Sequence, residues 1–453
     1  MPQDIAQALA YAQQKDREDE LKGFRSRFYF PRFARNTPQS EIAHSVQTSD
    51  VGPDGQTATG GFRAGRDMIY FCGNSLGLQP VAAEGSVRQE LADWRELAIG
   101  GYWQARNPWM TYPASLRGPL ARIVGCGEEE VTVMNALTVN LHLLMLSFYR
   151  PTPQRYKVLI EAKAFPSDQY AVETQVRMHG FEPRDAIVEV APREGEMLVR
   201  EEDILVAIER EKGSLALVLF GGLNYYTGQV FDMARITAAA HDAGAAAGFD
   251  LAHAVGNVPL RLHDWGVDFA VWCSYKYLNG GPGAAGGAFI HERHVRDQSL
   301  ARLGGWWGND ESSRFRMQKG FIPKPTAEGW SMSTAQVMNM VCLKASLQLF
   351  EEAGIDRLQA KSRELTAYLS SLLAPLEGGA FRVITPVEAG RRGAQLSLFF
   401  EDRDKGKSVQ EQLMEQGVIT DFREPGVVRV APAPLYNSFE DVYRFCHILR
   451  GLL

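Results

Sequence analysis

Lys276 lies in the segment Ser274-Tyr275-Lys276-Tyr277-Leu278-Asn279-Gly280-Gly281-Pro282-Gly283, just past an apolar stretch, Val267 to Cys273, that reads as a buried strand. Twenty-six positions earlier the apolar run Ala245 to Phe249 ends on Asp250, followed by Leu251-Ala252-His253. A lysine leaving one strand end and an aspartate leaving another are what pyridoxal phosphate asks of a protein. The amine condenses with the aldehyde, and the carboxylate pairs with the ring nitrogen and keeps it protonated. Both residues would lie at the carboxyl edge of a parallel sheet, where open α/β folds bind their ligands. A loop lysine is ordinarily a surface residue. The glycines and aromatics around this one argue for a catalytic role.

Other residues fit the same chemistry. Leu137-Thr138 open the run Val139-Asn140-Leu141-His142-Leu143-Leu144, which has helical length and spacing. A helix N-terminus offers unpaired amides and a positive dipole end, which suits a phosphate. Thr138 as a plain N-cap is the alternative, and His142 reads as a packed helix residue. Phe165, in Phe165-Pro166-Ser167-Asp168, is placed either to stack on a pyridine face or to fill a core. Asp168 would sit near the ring nitrogen in support of Asp250, and His253 within reach of the phosphate or the ring edge. Arg429 leaves a short strand, and a guanidinium can grip an α-carboxylate with two parallel bonds.

One motif points elsewhere. Gly281-x-Gly283-x-x-Gly286 matches the dinucleotide fingerprint by letter. It comes late, behind Lys276, and no strand ending in Asp or Glu follows about 20 positions on, so the nicotinamide reading is rejected. The glycines instead describe a loop whose backbone passes close to a phosphate and to a neighbouring subunit.

The elements that must position these residues alternate. Lys157 to Glu161, Ala186 to Val190, Leu215 to Phe220, Ala245 to Asp250 and Val267 to Cys273 are short apolar runs, with helical stretches such as Asp203 to Lys212 and Met233 to Ala243 between them. That predicts an α/β fold with a mainly parallel sheet sandwiched by helices. After Trp330 the character changes. Helices are expected over Ala335 to Ala353 and Ile355 to Leu373, then strands over Arg382 to Thr385, Gln395 to Phe400 and Val427 to Val430, giving a smaller α+β domain. Met1 to Lys22 reads as a helical arm that packs on a partner, and Asn36 to Arg66 as a long loop. The expected division is 1–66, arm and loop; 67–330, large cofactor-binding domain; 331–453, small domain.

A chain of 453 residues is long enough for two packed domains. The formal charge of −6 and the lack of a basic stripe argue against nucleic acid as a partner. No apolar run approaches the ~20 residues of a membrane span, and Met1 to Arg27 lacks the apolar core of a secretion signal. Five scattered cysteines offer no Cys-x-x-Cys pair, so no metal site is expected; free thiols in a reducing cytoplasm are.

The segments Phe249 to Asn257, His263-Asp264-Trp265-Gly266-Val267-Asp268-Phe269-Ala270 and the lysine loop closely resemble the kynureninase family. The likeness extends to Gly73-Asn74-Ser75-Leu76-Gly77-Leu78-Gln79-Pro80, Met134 to His142, Glu161 to Asp168 and Arg429 to Phe439, in consistent order from about Asp67 to the C-terminus. The resemblance implies a homodimeric pyridoxal-phosphate hydrolase of fold type I, with a seven-stranded sheet. It implies cleavage of L-kynurenine, 3-hydroxykynurenine or another ring-substituted kynurenine to an anthranilate and L-alanine. It makes Leu137, Thr138, Phe165, Asp168, Asp250, His253, Tyr275 and Lys276 cofactor contacts, with Tyr275 also the general acid/base. Trp306 and Thr334 would reach the partner's cofactor phosphate, and Asn74, Ser75, Tyr102 and Arg429 would bind substrate. Three positions depart from the family pattern. Gly221 stands where a serine is frequent, Tyr102 where members preferring the 3-hydroxylated substrate carry histidine, and Thr334 where they carry asparagine. The nearest rival is a cysteine desulfurase-like lyase of the same fold, which needs a nucleophilic cysteine on a mobile loop. A non-catalytic regulator of this fold would need a DNA-binding segment, and Met1 to Arg66 shows none.

Overall fold

The computed structural model describes residues 5–32 and 67–453. The long loop expected over Asn36 to Arg66 therefore lies outside the described residues. The strands, in chain order, are β1 (Ile69–Tyr70), β2 (Val131–Val133), β3 (Lys157–Glu161), β4 (Ile187–Val190), β5 (Leu215–Gly221), β6 (Ala246–Asp250), β7 (Phe269–Trp272), β8 (Gly287–Ile290), β9 (Arg382–Val383), β10 (Leu396–Phe399), β11 (Val418–Ile419), β12 (Asp421–Arg423) and β13 (Val427–Val430).

Seven of them form the central sheet, ordered β2-β8-β7-β6-β5-β3-β4. Strands β4, β3, β5, β6 and β7 run parallel, and β8 is antiparallel to both β7 and β2. The five parallel strands are the five apolar runs: β3 matches its run, β5 runs one residue further to Gly221, and β4, β6 and β7 are shorter by one to three residues. In β5, Val218 and Phe220 face one core and Leu217 and Leu219 the other, the alternation that a strand buried on both faces requires. Helices Glu201–Arg210 and Met233–Asp242 cover the first face through Ile204, Ile208, Met233 and Ile236. Helices Leu137–Phe148 and Pro166–Met178 cover the second through Leu141, Leu144, Val172 and Val176. Each such side chain stabilises by about 1.5–3 kcal/mol.

Strands β2 and β8 complete the sheet but show no apolar run long enough to read. Gly287 opens β8 opposite Trp272 of β7, and a Cβ there would lie 2.1 Å from the indole. The glycine that hides the strand in the sequence is required by the tryptophan beside it.

In the C-terminal part, the antiparallel sheet β12-β13-β10-β9 packs with helices Ile355–Leu373, Arg403–Glu415 and Phe439–Leu452 around a third core. The helix expected over Ala335 to Ala353 starts only at Val341, after a 3₁₀ turn over Val337–Asn339. The N-terminal arm needs a larger correction. Its helix, Ile5–Glu18, packs on its own chain's C-terminal helix. The Asp16 carboxylate accepts from the amides of Phe439 and Glu440 at 2.7 and 2.9 Å, capping that helix, and Asp19 pairs with Lys361 at 2.7 Å. Strand β1 pairs in parallel with β11, so Ile69 and Phe71, at the start of the expected large domain, join the C-terminal core.

At the amino edge of the central sheet, buried Asp268 ties three segments together. It meets His241 Nε2 at 2.8 Å, His294 Nε2 at 2.7 Å, the Ala247 amide at 2.7 Å and the Arg293 guanidinium. Burial pushes this carboxyl up, but these four partners override it and hold it well below the usual carboxylate range. Replacing Asp268 with Asn should therefore destabilise the fold by about 3–5 kcal/mol, read from the urea midpoint. The folded-state value is depressed, so this stabilisation is present above the ordinary carboxylate range and lost as pH falls through the depressed value. The gap between wild type and variant should be widest at neutral pH and shrink below about pH 4.

Candidate active site

The carboxyl ends of β3, β5 and β6 bring Glu161, Gly221 and Asp250 to one edge, with Gly221 directly beside Asp250 in register. The chain leaving β7 adds Tyr275 and Lys276. A cavity at this edge is lined by Leu137, Thr138, Glu161, Phe165, Ser167, Asp168, Gly221, Leu223, Tyr225, Asp250, Ala252, His253, Tyr275 and Lys276. Eight sequence-derived candidates are thus collected by the fold into one space.

Lys276 Nζ lies 2.9 Å from Nε2 of His253. Burial, and then the charge of Lys276, pull the histidine well below its usual range, so it is a neutral acceptor for the amine. Asp250 is 9% exposed and accepts the Ala252 amide at 2.7 Å. Its carboxylate is hydrogen-bonded to that of Asp168, and burial followed by the charge of Asp250 raises Asp168 well above normal. Burial raises Asp250 as well, so both carboxyls of the pair are pushed toward the protonated form, Asp168 the more strongly of the two. Glu161 is a third acid in the same space. Burial raises it to about 7 against the opposing hydrogen bond from Asn224.

Phe165 is 45% exposed and is no core aromatic. Its ring meets Tyr225 edge-on at 5.3 Å and has Lys276 Nζ 5.8 Å from its centroid. Thr138 is not the N-cap: Ala136 is, and no side chain caps the helix. The amides of Leu137 and Thr138 thus begin an uncapped helix at the cavity wall. Gly286 lets that helix approach, since a Cβ there would lie 3.2 Å from the Leu137 nitrogen and 2.9 Å from the Trp272 carbonyl. The glycine series leads into β8 and not into a helix, which disposes of the dinucleotide reading on structural grounds. Gly77 donates its amide to the Tyr275 carbonyl at 2.8 Å, and a Cβ there would strike Asn279 and the Lys276 carbonyl, so Gly73 to Pro80 braces the lysine loop.

Arg429, in β13, is 1% exposed and already engaged. Its Nε donates to Asp421 at 2.7 Å, NH2 to Asp421 and to Ser75 Oγ, and NH1 to the Tyr225 carbonyl at 2.9 Å. Ser75 in turn donates to Asp421 at 2.7 Å, and Asn74 to Gln395 at 3.0 Å. The remaining candidates are not brought in. Tyr102 packs edge-on against Trp109 at 5.6 Å, and Trp306, 41% exposed, packs against Phe315. Thr334 is exposed, and none of the three lines the cavity. Sequence reasoning missed Glu161, Tyr225 and Asp421 as site residues. The first ends a recognised strand, which was the available signal; the other two come from a loop and a two-strand corner with none.

Over 449 residues the chain is 49% identical to a kynureninase of Flavobacterium psychrophilum, covering 98% of both chains. It is 50% identical over 442 residues to one of Myxococcus xanthus, covering 98% of this chain and 96% of that one. The chain belongs to the kynureninase family. A kynureninase of Nematostella vectensis is 47% identical over 453 residues, covering 97% of this chain and 93% of that one, and the kynureninase C-terminal domain family matches residues 358–449. Among solved structures, C-DES with glycine covalently linked to its pyridoxal-phosphate cofactor superposes with a TM-score of 0.72 at 16% identity, over 84% of this chain and 96% of that one. A cysteine desulfurase from Thermococcus onnurineus gives 0.67 at 18%, over 85% and 94%. These likenesses carry the fold, pyridoxal-phosphate fold type I. The desulfurase-like rival is further weakened because Cys72, Cys273 and Cys446 are buried and Cys126 and Cys342 half-buried.

The cavity suits that cofactor on its own evidence of polarity. A buried aspartate pair is pushed toward its protonated form, Asp168 Oδ1 and His253 Nδ1 have no partner, and a helix N-terminus stands uncapped. Glu161 offers a test of this electrostatic account. Its folded-state value is raised from 4.5 to about 7, so the cofactor-free protein binds an extra proton in this window and loses stability as pH rises through it. Cofactor-free Glu161→Gln should match wild type near pH 4.5, then gain up to roughly 2–4 kcal/mol over it by pH 8 in urea unfolding. A gap that does not change with pH would show that Glu161 is not held protonated.

Proposed function

We propose that the kynureninase-family chain is a pyridoxal-phosphate-dependent hydrolase that cleaves the Cβ–Cγ bond of L-kynurenine, or of a ring-substituted kynurenine, to an anthranilate and L-alanine. The carrying observation is that Asp168, Asp250 and Lys276 meet in one cavity, in a chain about half identical to kynureninases over nearly its whole length. When bound, pyridoxal phosphate supplies an aldehyde for the substrate amine and a protonated ring that withdraws electrons from the bonds being broken.

The protein's part follows from its own groups. Asp250, fixed by the Ala252 amide and supported by Asp168, would pair with the ring nitrogen and favour its protonated form. The amides of Leu137 and Thr138 would hold the phosphate, and Phe165 would pack against the ring. Lys276 Nζ takes the α-proton, with neutral His253 accepting its hydrogen bond rather than competing for the charge. Burial and the Cys273 thiol keep Tyr275 protonated, so its hydroxyl acts as the acid at the β-carbon once water has added to the γ-carbonyl. Arg429 anchors the α-carboxylate through the NH1 hydrogen not given to the Tyr225 carbonyl, its other donors being held by Asp421 and Ser75, with Asn74 and Ser75 on the same wall. Tyr102 and Thr334 set the preference for the ring substituent.

The working form is a homodimer in which Trp306 and Thr334 complete the partner's site. Their exposure, and their absence from their own chain's cavity, support that arrangement. Among the described residues no helix is long and apolar enough to cross a membrane, and five free cysteines support a place in the cytoplasm. The enzyme serves tryptophan breakdown by the kynurenine route or the cofactor biosynthesis that draws on it. We keep the division 67–330 and 331–453, with β1 counted to the C-terminal part.

Lys276→Ala should keep its fold but lose roughly 10²–10⁴-fold or more in turnover of kynurenine, together with the borohydride-sensitive absorbance of lysine-bound cofactor. Wild-type turnover in that variant would end the proposal. The shared site gives a complementation test. Subunits carrying Lys276→Ala and subunits carrying Trp306→Ala should each form weakly active dimers, and mixing them should restore up to about half of the wild-type activity per hybrid dimer, because one of the two sites is then intact. No recovery after demonstrated subunit exchange would put Trp306 in its own chain's site.

A further inference from the structure

A second cavity, of about 420 Å³, opens between the central-sheet part and the C-terminal part, and shares no lining residue with the catalytic one. Its volume lies in the range of small-molecule sites. Three arginines line it, Arg363, Arg391 and Arg392. Among the described residues the guanidinium groups of Arg363 and Arg391 have no ion-pair partner, and Arg391 Nε is buried without an acceptor. Arg392, 9% exposed, spends NH1 on the carbonyls of Pro386 and Val387, while its Nε has no acceptor. The two acids in the lining are already used. Glu201 accepts the Asp232 amide at 3.1 Å and stands 3.7 Å from Arg235, and Asp232 accepts the Arg235 amide at 3.0 Å as the cap of its helix. Glu388 acts on Arg392 from the same turn, so three arginines face one further carboxylate and the wall keeps a net positive charge, and a buried guanidinium donor without an acceptor costs free energy until one arrives. Trp265, Val258 and Pro259 give the same cavity an apolar part of its lining.

We propose that this cavity binds a small organic anion, its carboxylate or phosphate held by Arg391, Arg392 and Arg363 and its apolar body laid against Trp265. Guanidinium forks favour such oxyanions over other acceptors, and the apolar wall selects an anion with a hydrocarbon or aromatic body over a bare inorganic one. The site stands apart from the reaction proposed above and does not depend on it.

Calorimetric titration of the wild-type holoenzyme with benzoate and, separately, with inorganic phosphate tests it. Benzoate should bind, and phosphate more weakly. Arg391→Ala should weaken benzoate binding roughly tenfold or more. Arg363→Glu, at an exposed helix position that the fold tolerates, should do the same. Kynurenine turnover of both variants should stay at the wild-type level. Neither probe binding, phosphate binding in preference to benzoate, or undiminished benzoate binding in both variants would each overturn the proposal. Loss of turnover in step with loss of binding would assign the benzoate to the catalytic cavity and overturn it equally.

Discussion

A carboxylate buried at the end of a strand is the constraint around which this protein is arranged. Asp250 sits where β6 ends, between β5 and β7, and is held by the Ala252 amide, the charge of Lys276 and a hydrogen bond with Asp168. Leaving a carboxylate in such a place costs several kcal/mol unless something positive faces it. The fold keeps that cost by collecting three acids, Glu161, Asp168 and Asp250, against one lysine. Burial pushes all three toward the neutral form, Asp250 being the one that the Ala252 amide, Lys276 and Asp168 draw back toward its charged form. A cationic ring nitrogen is what relieves it. Stability given up in the cofactor-free protein is the source of cofactor affinity and of the electron-withdrawing power that the reaction uses.

A second set of contacts makes the site depend on distant parts of the chain. Arg429 from β13, Asp421 from β12, Ser75 near the start of the described core and the Tyr225 carbonyl meet around one guanidinium. Asn257 donates to the His253 carbonyl and accepts the Ala394 amide, both at 2.8 Å, and Gln395 reaches from the C-terminal sheet to the Tyr225 carbonyl. The turn that carries His253, and through it the lysine amine, is therefore pinned to the C-terminal sheet. Because a buried guanidinium left without its carboxylate is expensive, these segments assemble together or not at all.

The central sheet was legible because four of its five parallel strands lie inside it, covered on both faces, and read as largely apolar runs, while β4, at the edge, keeps three apolar residues out of four. Its antiparallel edge was not. Strands β2 and β8 are three and four residues long, and the latter starts at a glycine demanded by Trp272 across the register. The catalytic pair was legible for a similar reason, since a polar residue that ends an apolar run is placed by the strand itself. Glu161 ends β3 in the same way as Asp250 ends β6, yet no cofactor atom calls for a third acid. Its role emerges only from what burial does to its charge.

Local sequence by itself determined the five parallel strands, the helix that opens at Leu137, and the lysine and aspartate at strand ends, because period and strand termini are properties of neighbouring residues. It also determined family membership, through motifs in consistent order. Tertiary structure alone decided which carboxyls are pushed toward the protonated form, since that depends on burial and on charges brought from separate strands. It alone decided that the arm packs on its own C-terminal helix and that Arg429 is already gripped by Asp421. Both contacts join residues remote in sequence, and nothing in the spacing of either partner announces the other.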